Sequence, residues 1–97
     1  MAFVMMYNTK VRPEMISHLS ELRKEFHRIY NEYGVKVVGQ WTCASDDSET
    51  FYMTQFESED DYNRKIAALH EDERYLKLSA QLNEIRVEFR ATRLVTN

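Results

Sequence analysis

The apolar residues of this chain change their spacing from one stretch to the next, and the order of those changes admits few folds. Phe3, Val4, Met5, Met6 and Tyr7 run without a break, so residues 2–9 read as a strand with apolar side chains on both faces. Then Met15, Ile16, Leu19, Leu22, Phe26, Ile29, Tyr30 and Tyr33 step by three and four, the stripe of an amphipathic helix over residues 14–33. Pro13 suits the start of that helix and Gly34 the residue that ends it. Residues 35–43 are rich in β-branched side chains and alternate, residues 44–48 carry turn chemistry, and residues 49–57 alternate again, so the two strands form a hairpin. Ser58, with Asp61 three residues on, is an acidic variant of the capping box, and Tyr62, Ile66 and Leu69 give the next helix its stripe. His70, Glu71 and Asp72 interrupt that helix, and Tyr75, Leu78 and Leu82 resume it to about residue 83. Ile85, Val87, Phe89 and Ala91 then alternate with Arg86, Glu88, Arg90 and Thr92 as a last strand.

The predicted order is therefore β-α-β-β-α-β, a ferredoxin-like α+β arrangement in which right-handed crossovers place the helices on one face of a four-stranded antiparallel sheet. Two Gly and one Pro leave no linker, so residues 1–97 form a single domain. Pairing Thr42 with Thr50 puts Val37, Gly39, Trp41, Phe51 and Met53 on one face, and Val38, Gln40, Tyr52 and Thr54 on the other. The first set is the more apolar and is expected beneath the helices, Trp41 included. The second, too apolar for open water, is expected to meet a second copy of the chain, giving a homodimer closed sheet to sheet as an α+β barrel.

Composition narrows the partners. Acidic and basic residues are mixed along the chain at a net charge of −3, with no basic face for nucleic acid. Nothing approaches the ~20 apolar residues of a membrane span, and no signal-peptide pattern opens the sequence, so the expectation is a cytoplasmic protein without a membrane partner. One Cys excludes a disulfide or a multi-thiolate metal site within one chain.

The segment Gly34-Val-Lys-Val-Val-Gly-Gln-Trp-Thr42, then Phe56-Glu-Ser58, Arg64, Ala67-Ala-Leu69 and Tyr75, resembles the NIPSNAP family. Val11-Arg-Pro13 is similar to the Lys-Pro-Gly turn that closes the first strand in that family. The resemblance implies a dimeric α+β barrel, within a superfamily that also holds cofactor-independent monooxygenases, haem-binding and haem-degrading enzymes, isomerases and stress-induced proteins. It implies no settled activity or catalytic set. Met5 and Tyr7 stand where the family often carries Glu and Arg, and Glu14 where it has the turn glycine.

Of the candidate chemistries, metal binding has the weakest basis: His18, His27 and His70 lack ligand spacing, so no metal site is assigned. Asn8, Trp41 and His70 follow the residue order of the haem-degrading branch. That branch, however, places its Trp on the second helix, where this chain has Asn63-Arg-Lys65. Cys43, beside Asp46 and Asp47, reads as an inert thiol. No Gly-rich phosphate loop or nucleophile elbow is present, and no cofactor is called for. What is left is a cleft that binds a small, partly apolar molecule, with Tyr7, Gln40, Tyr52, Thr54 and Arg86 as ligand-binding candidates. If the protein is an enzyme, a cofactor-independent monooxygenase or isomerase acting on an aromatic or polyketide-like metabolite fits these side chains, with Tyr52 and Arg86 as catalytic candidates. The remaining reading is a structural dimer that acts through protein partners.

Overall fold

The computed structural model describes residues 2–96. Strand β1 (Phe3–Val11) runs into a 3-10 turn at Pro13–Met15 and then α1 (Ile16–Glu32). Strands β2 (Lys36–Cys43) and β3 (Asp46–Phe56) follow as a hairpin, then α2 (Glu59–Leu69), α3 (Glu73–Ile85) and β4 (Arg86–Val95). All strand pairs are antiparallel and the sheet order is β2-β3-β1-β4, the ferredoxin-like α+β topology.

Local chemistry sets the joints. Gly34 takes φ +71°, the left-handed conformation that ends α1 and turns the chain into β2. Ser58 caps α2 by accepting from the Asp61 N–H at 3.1 Å. The Asp61 carboxylate reaches back one residue beyond the usual capping-box partner, accepting from the Glu57 N–H at 3.1 Å. Asp72 caps α3 through the Arg74 N–H and also accepts from the Tyr33 hydroxyl at 2.7 Å, which ties the end of α1 to the α2–α3 turn. Ile85 closes α3 as a buried helical residue, so the last strand begins one residue later than its alternation implies. The core lies between sheet and helices: Phe3, Met5, Val11, Tyr52 and Phe56 from the strands meet Leu19, Leu22, Phe26 and Ile29 of α1, with Leu69 and Leu82 beyond.

The hairpin register is as read from the sequence, Thr42 opposite Thr50, but its faces are reversed from Gly39 to Thr54; Val37 alone of the set expected beneath the helices packs against the core. Tyr52 and Thr54 are fully buried beneath the helices, while Trp41 is 51% exposed on the bare face with Phe51 and Met53. Counting apolar side chains in the hairpin alone favoured the wrong face, because the decisive residues lie elsewhere. Phe56 shares the parity of Tyr52, and β1 pairs Met5 with Thr54 and Tyr7 with Tyr52, so the side of the sheet rich in fully buried rings is theirs. Three register shifts interrupt the pairing: one between Thr42 and Cys43 at the hairpin end, one at Val38, which leaves Val37 opposite Thr54, and one in β4. Val38 in β2 and Val87 in β4 are the extra residues, 43% and 54% exposed, which re-aims the strand on either side.

Candidate functional site

α1 carries a cation on its buried stripe. Arg23 falls between Leu19, Leu22 and Phe26, at the spacing that points a side chain at the sheet. Its guanidinium carbon lies 4.6 Å from the ring centre of Tyr52, and Nη2 donates to Thr9 Oγ1 at 3.3 Å. A second cation comes from the α3–β4 junction, where Arg86 stacks on Phe89 with its guanidinium carbon 3.9 Å from the ring centre. Phe89 in turn stacks on Tyr7, centroids 6.1 Å apart and planes 17° off parallel.

Arg23 and Arg86 line one cleft of about 180 Å³ between α1, α3 and strands β1 and β4. Tyr7 and Phe89 form its sheet side, Phe26 and Tyr30 its α1 wall, and Tyr75, Ser79, Leu82 and Asn83 its α3 wall. Phe26 meets Tyr75 edge-on at 5.8 Å, which closes the α1–α3 side with rings. No Asp or Glu lines this cleft. Arg12, Arg28, Arg64, Arg74 and Arg93 each have a carboxylate within 4.0 Å, and among the described residues Arg23 and Arg86 have none.

The site is electrostatically one-sided. Burial lowers the Arg23 pKa, the titratable hydroxyls of Tyr30 and Tyr52 offset part of that, and Arg86 lowers it again as a like charge. Burial also lowers Arg86. The tyrosine hydroxyls move the other way. Desolvation raises Tyr7 and Tyr30, with neighbouring tyrosines adding to the shift; it raises Tyr75 against the opposing hydrogen bonds of Tyr30 and Ser79, and Tyr52 is pushed up to about 12. At neutral pH these phenols are donors and do not serve as bases.

A second cavity, of about 220 Å³, opens on the other side of Arg23, where Leu19 and Ser20 of α1 face Gln40, Thr42 and Thr50 of the hairpin. Arg23 thus forms a shared wall between the two.

Of the residues singled out from sequence, Tyr7 and Arg86 come together in the first cleft, and Gln40 lies across Arg23 in the second. Tyr52 and Thr54 line neither. Both are sealed beneath the helices, and neither Tyr52 Oη nor Thr54 Oγ1 has a hydrogen-bond partner. The residues missed are Arg23, Tyr75, Ser79 and Asn83. Their signal was legible: Arg23 interrupts an apolar stripe with a charge, and Tyr75, Ser79, Leu82 and Arg86 recur at steps of three and four. His18, His27 and His70 are exposed and far apart in the chain, and among the described residues no group of three His, Cys, Asp or Glu side chains converges.

The whole chain superposes on a NIPSNAP family protein from Agrobacterium tumefaciens with a TM-score of 0.87, covering 100% of this chain and 94% of that one at 18% identity. Its fold is that of the NIPSNAP proteins. A NIPSNAP-like domain protein from Burkholderia xenovorans gives a TM-score of 0.84 at 13% identity, covering 99% of this chain and 85% of that one. An antibiotic biosynthesis monooxygenase gives 0.79 at 10% identity, covering 98% of each chain. No protein-family model and no curated protein matches the sequence. The NIPSNAP resemblance read from residues 11–75 is thus matched in three dimensions over the whole chain. No helix of the described residues is long and apolar enough to cross a membrane.

Proposed function

We propose that this NIPSNAP-like protein is a homodimer whose cleft between α1, α3 and the sheet binds a small, partly apolar molecule. The observation that carries the reading is the lining of that cleft: Tyr7, Phe26, Tyr30, Leu82 and Phe89 supply apolar walls, while Ser79, Asn83 and two arginines supply a few convergent polar groups. The dimer rests on the bare face of the sheet. There Trp41, Phe51, Met53, Met6 and Leu94 share a surface that the helices leave uncovered, with Trp41 and Leu94 51% and 38% exposed. A second copy meeting that face through a two-fold axis buries it on both partners. Native mass spectrometry of freshly purified protein tests both parts together. The expected result is a dimer mass carrying a discrete, removable adduct; a monomer at micromolar concentration removes the dimer.

A second reading, a cofactor-independent oxygenase or isomerase acting on an aromatic or polyketide-like metabolite, is favoured by one feature. Two guanidinium groups beside an apolar cleft can stabilise the enolate or phenolate that such chemistry must form. The antibiotic biosynthesis monooxygenase shares the fold and supports the same direction. Dioxygen consumption or substrate isomerisation that Arg86→Ala abolishes while leaving the folded protein intact is the expected outcome. Unchanged turnover in that variant removes Arg86 from the chemistry.

A further inference from the structure

We infer that Arg23 and Arg86 together form an oxyanion-binding site, and that the molecule the cleft takes is a carboxylate attached to a small ring or a comparably compact apolar body. This rests on reading the cleft as a binding site and names the class of its ligand.

Three observations converge on it. A guanidinium carries five N–H donors, yet among the described residues Arg23 donates to Thr9 Oγ1 alone, at 3.3 Å, and Arg86 makes no side-chain hydrogen bond. Each has a ring against its face, Tyr52 for Arg23 and Phe89 for Arg86. Stacking uses the faces and leaves the edges, where the N–H groups are, free for a planar oxyanion. Finally, five of the eight arginines pair with carboxylates on the surface, and Arg90 is exposed on β4. The two that line this cleft have no such partner among the described residues. Charges taken out of water without a counter-charge are unfavourable in the free protein, so an anion that enters gains more here than at the surface.

The rest of the lining defines the other end of the ligand. Tyr7, Phe26 and Phe89 offer ring faces, the volume of about 180 Å³ suits one ring with a carboxylate, and Ser79 and Asn83 on α3 are placed to take a further hydroxyl or carbonyl. A bare inorganic anion leaves the rings unfilled.

The test is calorimetric titration of the full chain with benzoate, its neutral isostere benzamide, and inorganic phosphate. The expected result is that benzoate binds about tenfold or more tightly than benzamide or phosphate, the difference expected of one charge-assisted pair. Arg23→Met, folded as judged by circular dichroism, loses that margin, its benzoate affinity falling to the level of benzamide. Arg86→Gln, at a half-buried position that tolerates change, gives the same loss and serves if Arg23→Met fails to fold. Equal binding of benzoate and benzamide overturns the oxyanion site and leaves the apolar cleft standing. Phosphate binding as tightly as benzoate overturns the ring-carboxylate assignment, and binding of none of the three overturns both the inference and the cleft reading beneath it. A benzoate margin that survives in both variants overturns the assignment to these two arginines.

Discussion

The guanidinium of Arg23 rests 4.6 Å above the ring of Tyr52, a side chain with no exposed surface, and the pair joins the middle of α1 to the middle of the sheet. An attraction of this type contributes up to about 2 kcal/mol when desolvated, whereas burying an unpaired charge costs several. The balance predicts that Arg23→Met raises the stability of the ligand-free protein by about 1 kcal/mol, read as a higher urea midpoint with an unchanged m-value. A lower midpoint shows that the stacking and the Thr9 hydrogen bond outweigh the desolvation.

The buried tyrosines set the alkaline limit. Tyr7, Tyr30, Tyr52 and Tyr75 have folded-state pKa values raised above the ordinary ~10, so their contribution to stability is complete below that value. It is lost as pH rises from about 10 through the folded values, Tyr52 reaching about 12. The expected outcome is that tyrosinate absorbance of these groups appears together with loss of helical circular dichroism. Smooth ionisation of Tyr7, Tyr30, Tyr52 and Tyr75 near pH ~10 with the fold intact contradicts the burial described.

At the acid end the sign reverses. Asp72, hydrogen-bonded to Arg74 and Tyr33, and Asp46, hydrogen-bonded to Ser48 and Lys10, both lie below the usual carboxylate range. Their stabilisation is present above ~4 and is lost as pH falls from there toward the folded values. Asp72→Asn is predicted to flatten the acid limb of a melting-temperature profile while leaving the alkaline limb where it was.

Gly34 and Leu69 test two different sources of stability. Gly34→Ala meets nothing closer than 3.9 Å, so its cost is the left-handed backbone alone, about 1 kcal/mol. Leu69→Ala empties a site with no solvent exposure between α2 and the core and costs about 3 kcal/mol. Chemical denaturation ranks the two, and the reverse order contradicts this account of either site.

The bare sheet face gives a prediction about assembly. Met53→Asp places a charge beside Met6 and in the strand next to Trp41, away from the helices. It is expected to convert the proposed dimer to monomer in light scattering while far-ultraviolet circular dichroism stays the same. A dimer that persists places the interface elsewhere.

These residues also show where sequence reading holds and where it stops. Helix α1, the cap at Ser58, Gly34 and the Thr42–Thr50 register follow from local rules: periodicity, a side-chain oxygen one turn from an N–H, a residue without Cβ. The face of the hairpin does not, because β1 is apolar on both sides and the choice depends on Phe56 and on the pairing of β3 with β1, while the shift at Val38 has no local pattern that announces it. Residue type alone singles out Tyr7 and Arg86, which line one cleft, whereas Arg23 escapes it because a charged residue in a helix is ordinarily solvated. Its neighbours on the stripe held the contrary signal.

On the bare face, a Cβ built on Gly39 would come 2.9 Å from Cη2 of Trp41, so the indole occupies the space a side chain at 39 would need. The two positions are therefore not free to vary independently. With Trp41 present, any replacement at 39 displaces the ring. Once 41 carries a small residue, the same replacement meets no indole. Substitution has a preferred order here, 41 before 39, and lineages that keep the tryptophan should keep the glycine with it.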